Sequence, residues 1–112
     1  MKLYHNPRCS KSREGLALLQ ESGKDFEIVE YMKNVPSHEE LADVIGKLGI
    51  PAEKLVRKTE NIFKEQFKGK TLSESAWIDA MIEFPKLIQR PILIKGDKAV
   101  LGRPVADFSQ IL

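Results

Sequence analysis

Lys2-Leu3-Tyr4-His5-Asn6-Pro7-Arg8-Cys9-Ser10-Lys11-Ser12-Arg13 is the stretch from which the rest of the chain is read. Residues 2–5 form a short apolar run that predicts a strand, and Asn6-Pro7 is a turn signal that ends it. From Ser10 or Ser12 onward, Leu16, Leu18 and Leu19 recur at the spacing of an amphipathic helix, which stops near Gly23. Phe26-Glu27-Ile28-Val29-Glu30-Tyr31 has the composition of a second strand. Strand, helix and strand in this order make a βαβ unit, which favours a parallel pair joined by a right-handed crossover.

The remaining sequence continues the pattern. Ser37-His38-Glu39-Glu40 is a capping box, and it opens a helix with Leu41, Val44, Ile45 and Leu48 on one face, ended at Gly49-Ile50-Pro51. Helical pieces are predicted at about 52–58 and 60–67. Another runs from Ser73 to Phe84, with Ala76, Trp77, Ala80 and Met81 at helical spacing. Pro91-Ile92-Leu93-Ile94-Lys95 and Lys98-Ala99-Val100-Leu101-Gly102 are strands joined by the hairpin signal Gly96-Asp97. Pro104 can start a last helix, where its missing N–H costs nothing. The expected fold is α/β: a single thioredoxin-like domain over residues 1–112, built on a mixed four-stranded sheet (βαβ, helical insert, ββα), with the insert at about 37–84.

The chain has 112 residues, 42% hydrophobic and 30% charged, which fits one globular domain and excludes a disordered tail. No apolar run approaches the ~20 residues of a membrane span. The first residues have no stretch of signal-peptide length, so cytoplasmic location is the expectation and no membrane partner is expected.

Eighteen basic and sixteen acidic residues nearly cancel, but they are unevenly placed. Residues 54–70 hold six basic residues against Glu60 and Glu65, and residues 86–103 hold five against Asp97. All five arginines, Arg8, Arg13, Arg57, Arg90 and Arg103, lie in basic segments. Arginine offers a planar fork of donors suited to oxyanions. Convergence of these segments would build an anion site, whereas charge runs taken alone more often coat solvated faces. Near-neutral total charge, with no aromatics interleaved among the basic residues, argues against a nucleic-acid partner.

Cys9 falls between the first strand and the first helix. Helix N-termini carry unsatisfied N–H groups and partial positive charge, which lower a cysteine pKa, and Arg8, Lys11 and Arg13 add to that field. A lone cysteine is more often a buried small hydrophobe, but its polar and charged neighbours make burial in an apolar core a poor fit. Position 15 is Gly, so a C-x5-R phosphatase loop is absent, and Ser12 stands where a C-x-x-C motif needs its second cysteine. One cysteine with widely spaced His5 and His38 is a poor metal site, so no metal is expected. A reactive sulfur with no partner cysteine needs an outside reductant, and glutathione relayed through a glutaredoxin fits.

The loop from His5 to Arg13 resembles that of the glutaredoxin-linked arsenate reductase family, which is related to Spx-like regulators. Leu55-Val56-Arg57-Lys58, Gln89-Arg90-Pro91-Ile92 and Gly102-Arg103-Pro104 follow in family order. The likeness covers the chain from Leu3 to about Leu112, where longer members continue. It implies that Cys9 attacks arsenate to form a thiol–arsenate adduct, which glutathione reduces to the trivalent state. Glutaredoxin then clears the mixed disulfide and arsenite is released. No bound cofactor is implied, and glutathione is a co-substrate. Arg57, Arg90 and Arg103 match the arginines that hold arsenate or a similar oxyanion. His5 and Ser12 match positions associated with tuning the thiolate: the Ser12 hydroxyl would donate to it, and His5, if cationic, would stabilise it. A purely structural role for His5 stays open. Arg13 is expected to supply supporting charge, and the Arg90–Pro91 peptide is expected to be cis, since cis bonds are essentially confined to X–Pro. Two other functions remain open. One is a glutathione-dependent thiol-disulfide reductase of the same fold; the other is a non-catalytic Spx-like transcription regulator.

Overall fold

The computed structural model describes residues 1–112. The chain divides into two compact units, one made of Met1–Asn34 with Arg90–Leu112 and the other of Val35–Gln89.

The first unit is built on a four-stranded mixed sheet. Strand β1 (Lys2–Tyr4) leads through helix α1 (Ser10–Ser22) to strand β2 (Glu27–Val29), and β3 (Ile92–Lys95) turns at Gly96 into β4 (Lys98–Leu101). The order is β2-β1-β3-β4, with β1 parallel to β2 and antiparallel to β3, and β3 antiparallel to β4. A parallel pair cannot be closed by a tight turn, so the helix between β1 and β2 is the connection the topology requires. Leu3 stands level with Ile28 on one side and Leu93 on the other, and Leu93 is level with Val100. Of that row, Leu3, Leu93 and Val100 face a core in which Leu3, Leu19, Leu93 and Phe108 are fully enclosed. Enclosing each such side chain contributes roughly 1.5–3 kcal/mol relative to leaving it in water.

Two sequence expectations change here. The second strand is Glu27–Val29 rather than residues 26–31. After Val29 the backbone turns: Tyr31 donates to the Val29 carbonyl, and Lys33 and Asn34 donate to that of Glu30. The last helix is a 3-10 helix, Val105–Gln110, with Pro104 at its N-cap. Residues three apart eclipse one another in a 3-10 helix, so Val105 and Phe108 both reach the core.

The second unit is helical. Its capping box forms as the sequence predicts at helix α2 (His38–Leu48): the Glu40 N–H donates to Ser37 Oγ at 3.1 Å, and the Ser37 N–H donates to the Glu40 carboxylate at 3.2 Å. Short helices α3 (Ala52–Leu55) and α4 (Asn61–Gln66) follow, then α5 (Glu74–Glu83). Phe63, Phe67, Trp77 and Phe84 form an aromatic cluster with ring centroids 6.0–6.5 Å apart. The helical piece expected over about 52–58 ends at Leu55. An antiparallel bridge between Val56 and Ile88 replaces it, and its flanking bonds, Arg57 N–H to Leu87 and Gln89 N–H to Leu55, take up the backbone groups that further helix would have used. No helix is long and apolar enough to cross a membrane.

Truncating Leu93 to Ala should cost ~2–5 kcal/mol in urea denaturation, because the enclosed space cannot refill. The same change at Ile28, 45% exposed on an edge strand, should cost well under ~1 kcal/mol.

Candidate active site

The loop between β1 and α1 is organised by the buried Asn6. Its Oδ1 accepts the Arg8 N–H at 3.1 Å and its carbonyl accepts the Cys9 N–H at 3.0 Å. Its own N–H donates to Ser12 Oγ at 3.3 Å. Arg13 reaches back across the loop, with Nη1 donating to the Pro7 carbonyl at 3.0 Å. These bonds place Cys9 at the N-cap of α1, where its carbonyl accepts the Arg13 N–H and opens the helix.

Cys9 is a free, partly exposed cysteine. Burial pushes its thiol up, but the Ser12 N–H, the Arg90 guanidinium and the Lys11 N–H favour the thiolate and together bring the pKa down to about 6. The thiolate thus serves as an acceptor at the helix N-terminus, and no acidic residue in the first turn competes with it.

Arg90 is buried, 7% exposed, and comes to the site from two residues before β3. Its guanidinium hydrogen-bonds the sulfur as well as acting on it through charge. The Arg90–Pro91 peptide is cis, as expected from the sequence; Arg103–Pro104 is also cis, which the sequence reading did not foresee. Arg103 is exposed, and its Nε donates to the Arg90 carbonyl at 2.9 Å.

The structure changes the expected roles of Ser12 and Arg13, and of the two readings left open for His5 it supports the structural one. Ser12 is fully buried, and its hydroxyl accepts from Asn6; its support for the sulfur comes from its backbone N–H. His5 is buried, and burial is the main cause lowering its pKa below 6.5. Glu30 and a bond to the Ser12 backbone oppose the shift, and Arg13 reinforces it. At neutral pH the ring is uncharged and supplies no cationic stabilisation. Arg13 ties the loop through Pro7 and is not among the groups acting on the sulfur.

Cys9, Ser12, Arg90 and Arg103 thus form one connected set in the first unit, with His5 in the loop and Arg13 in the first turn of α1 tied to that loop. Arg57 belongs to the second unit. It lies outside any helix, with Nε 3.2 Å from Thr59 Oγ1 and 3.7 Å from the Glu60 carboxylate, and its Nη1 is buried without a partner. Sequence reasoning treated Asn6 only as a turn former, although Asn before Pro also offers a side-chain acceptor to the loop. It also missed two glycines. A Cβ on Gly15 would lie 2.9 Å from the Pro91 ring and 3.0 Å from that of Phe108, and one on Gly102 would lie 2.8 Å from Phe108 and 2.9 Å from Pro91. The only sequence signal was a glycine in the interior of a helical pattern, at position 15.

Residues 4–111 match the model of the ArsC family. The chain is 43% identical to the uncharacterized protein YfgD of Escherichia coli strain K12, covering 100% of this chain and 96% of that one. It is 40% identical to an arsenate reductase of Haemophilus influenzae, covering 98% and 97%. Among solved structures, an arsenate reductase from Vibrio cholerae superposes with a TM-score of 0.94 at 41% identity, over 100% of this chain and 98% of that one.

Alkylation of Cys9 by iodoacetamide should be half-maximal near pH 6, with a plateau above and about a tenfold fall per unit below. Arg90→Met should raise that midpoint by about one unit or more, because the sulfur loses both a donor and a nearby positive charge. The lowered thiol also sets the sign of a stability effect. The folded chain binds fewer protons than the unfolded one between about pH 6 and the ordinary thiol range, so the stabilising effect is complete above that range and lost as pH falls through about 6. Wild type should therefore gain stability relative to Cys9→Ser as pH rises from 6 to 9 in chemical denaturation.

Proposed function

Because this chain belongs to the ArsC family, we propose that it is an arsenate reductase in which Cys9 is the nucleophile and glutathione with glutaredoxin supplies the electrons. The observation that carries this reading is a partly exposed sulfur with a pKa of about 6 held against a buried arginine. Relatives called arsenate reductases that match over nearly their full length support it.

In this mechanism the Cys9 thiolate attacks arsenic and displaces one oxygen as water, giving a thiol–arsenate adduct. A glutathione thiolate then attacks Cys9 Sγ. The S–S bond forms as the S–As bond breaks, and the electron pair stays on arsenic, which passes from the pentavalent to the trivalent state. Glutaredoxin removes glutathione from the mixed disulfide and restores the thiol. Without a second cysteine this last step needs an outside thiol. A reducing cytoplasm is the compartment the reading requires. Arg90 and the terminal nitrogens of Arg103 neutralise the oxyanion and its adduct, a task suited to preorganised guanidinium groups. Arg57 is assigned on the family motif alone.

With glutathione, glutaredoxin, glutathione reductase and NADPH present, the protein should consume NADPH only when arsenate is added. Cys9→Ser should abolish turnover, and Arg90→Met should lower kcat/KM by ~10²–10³. Arsenate-independent turnover of a small mixed disulfide would select the disulfide reductase instead. Undiminished rates with Cys9→Ser would overturn the mechanism. Replacing glutaredoxin with a thioredoxin system tests the electron donor separately.

A further inference from the structure

The segment carrying Arg90 is held from one side by the turn after β4. Arg103 Nε donates to the Arg90 carbonyl at 2.9 Å, and the Gly102 N–H donates to the Pro91 carbonyl at 2.8 Å. The Pro91 ring also lies against Gly15 of α1 and Gly102, so close that a Cβ at either residue would come within 2.9 Å of it, and the fully buried ring of Phe108 closes on the same two glycines. Two consecutive carbonyls and one ring are thus fixed, and Arg90 leaves this anchored backbone to reach Cys9.

We infer that Arg103 is a positioning residue for the nucleophile: by holding the Arg90 carbonyl it keeps the Arg90 guanidinium on Cys9 Sγ, before any oxyanion is present. Its Nε is committed to this bond, which leaves its two terminal nitrogens for a substrate. The groups that act directly on the sulfur are backbone N–H groups and Arg90. Arg103 acts on the thiolate at one remove. The inference holds whether the thiolate attacks an oxyanion or a disulfide, so it stands apart from the substrate proposed above.

The two roles of Arg103 separate in an experiment without substrate. The midpoint pH of Cys9 alkylation is measured for wild type, Arg103→Met, Arg90→Met and the double variant. A positioning role predicts that Arg103→Met raises the midpoint by about half a unit to one unit. It also predicts no further rise when Met already replaces Arg90, since the effect passes through that side chain. An unshifted midpoint in Arg103→Met, with only a raised KM for arsenate, would overturn the inference. So would an equal rise in both backgrounds, which would mean that Arg103 acts by its own charge. Gly102→Ala provides a charge-neutral second arm. Its Cβ, 2.8 Å from the Phe108 ring, should displace the turn and raise the midpoint when Arg90 is present but not in the Arg90→Met background. A folded Gly102→Ala protein with the wild-type midpoint would count against the clamp.

Discussion

At Cys9, burial and ionisation pull in opposite directions, and hydrogen bonds decide the outcome. Removing the sulfur from water disfavours its charged form. The first turn of α1 presents N–H groups at Lys11 and Ser12 with no intrahelical partner, and Arg90 adds a donor that is also a charge. The rest of the first unit keeps these donors in place. The β1–α1 connection sets the helix start one turn after the sheet, and the Asn6 bonds set the loop between them. The β3 strand delivers Arg90 from the neighbouring strand of the same sheet.

A cation at His5 would have been a simpler way to stabilise a thiolate, but the structure takes another. A buried imidazole would itself need a counterion, and burial instead keeps this one neutral. The positive charge comes from a guanidinium, which stays charged at any pH the protein meets. The guanidinium therefore keeps its charge while the sulfur titrates near pH 6.

Much of this was legible in the sequence, because the signals were local. Period, turn residues and one capping box give β1, α1, α2, α5 and the hairpin, and position alone puts Cys9 at a helix start. The Arg90–Pro91 dipeptide was readable because only X–Pro bonds adopt cis readily. What escaped was set by contacts between residues far apart. The Val56–Ile88 bridge ends α3 through a partner more than thirty residues away in the chain. The direction of the Ser12 hydroxyl depends on Asn6, and the state of His5 depends on how deeply the loop is enclosed. Neither is encoded in spacing. The site arginines were found by motif, but only coordinates separate Arg90, which touches the sulfur, from Arg103, which touches Arg90.

The hydrogens of Gly15 and Gly102 face the same two rings, and this makes the end of the chain a partner in the chemistry at its beginning. Phe108 crowds the same two glycines as the proline does, so mutational drift in the closing turn bears on the seating of a nucleophile about a hundred positions earlier. A swap of that turn between relatives would therefore have to carry both small residues with it, or retune the sulfur.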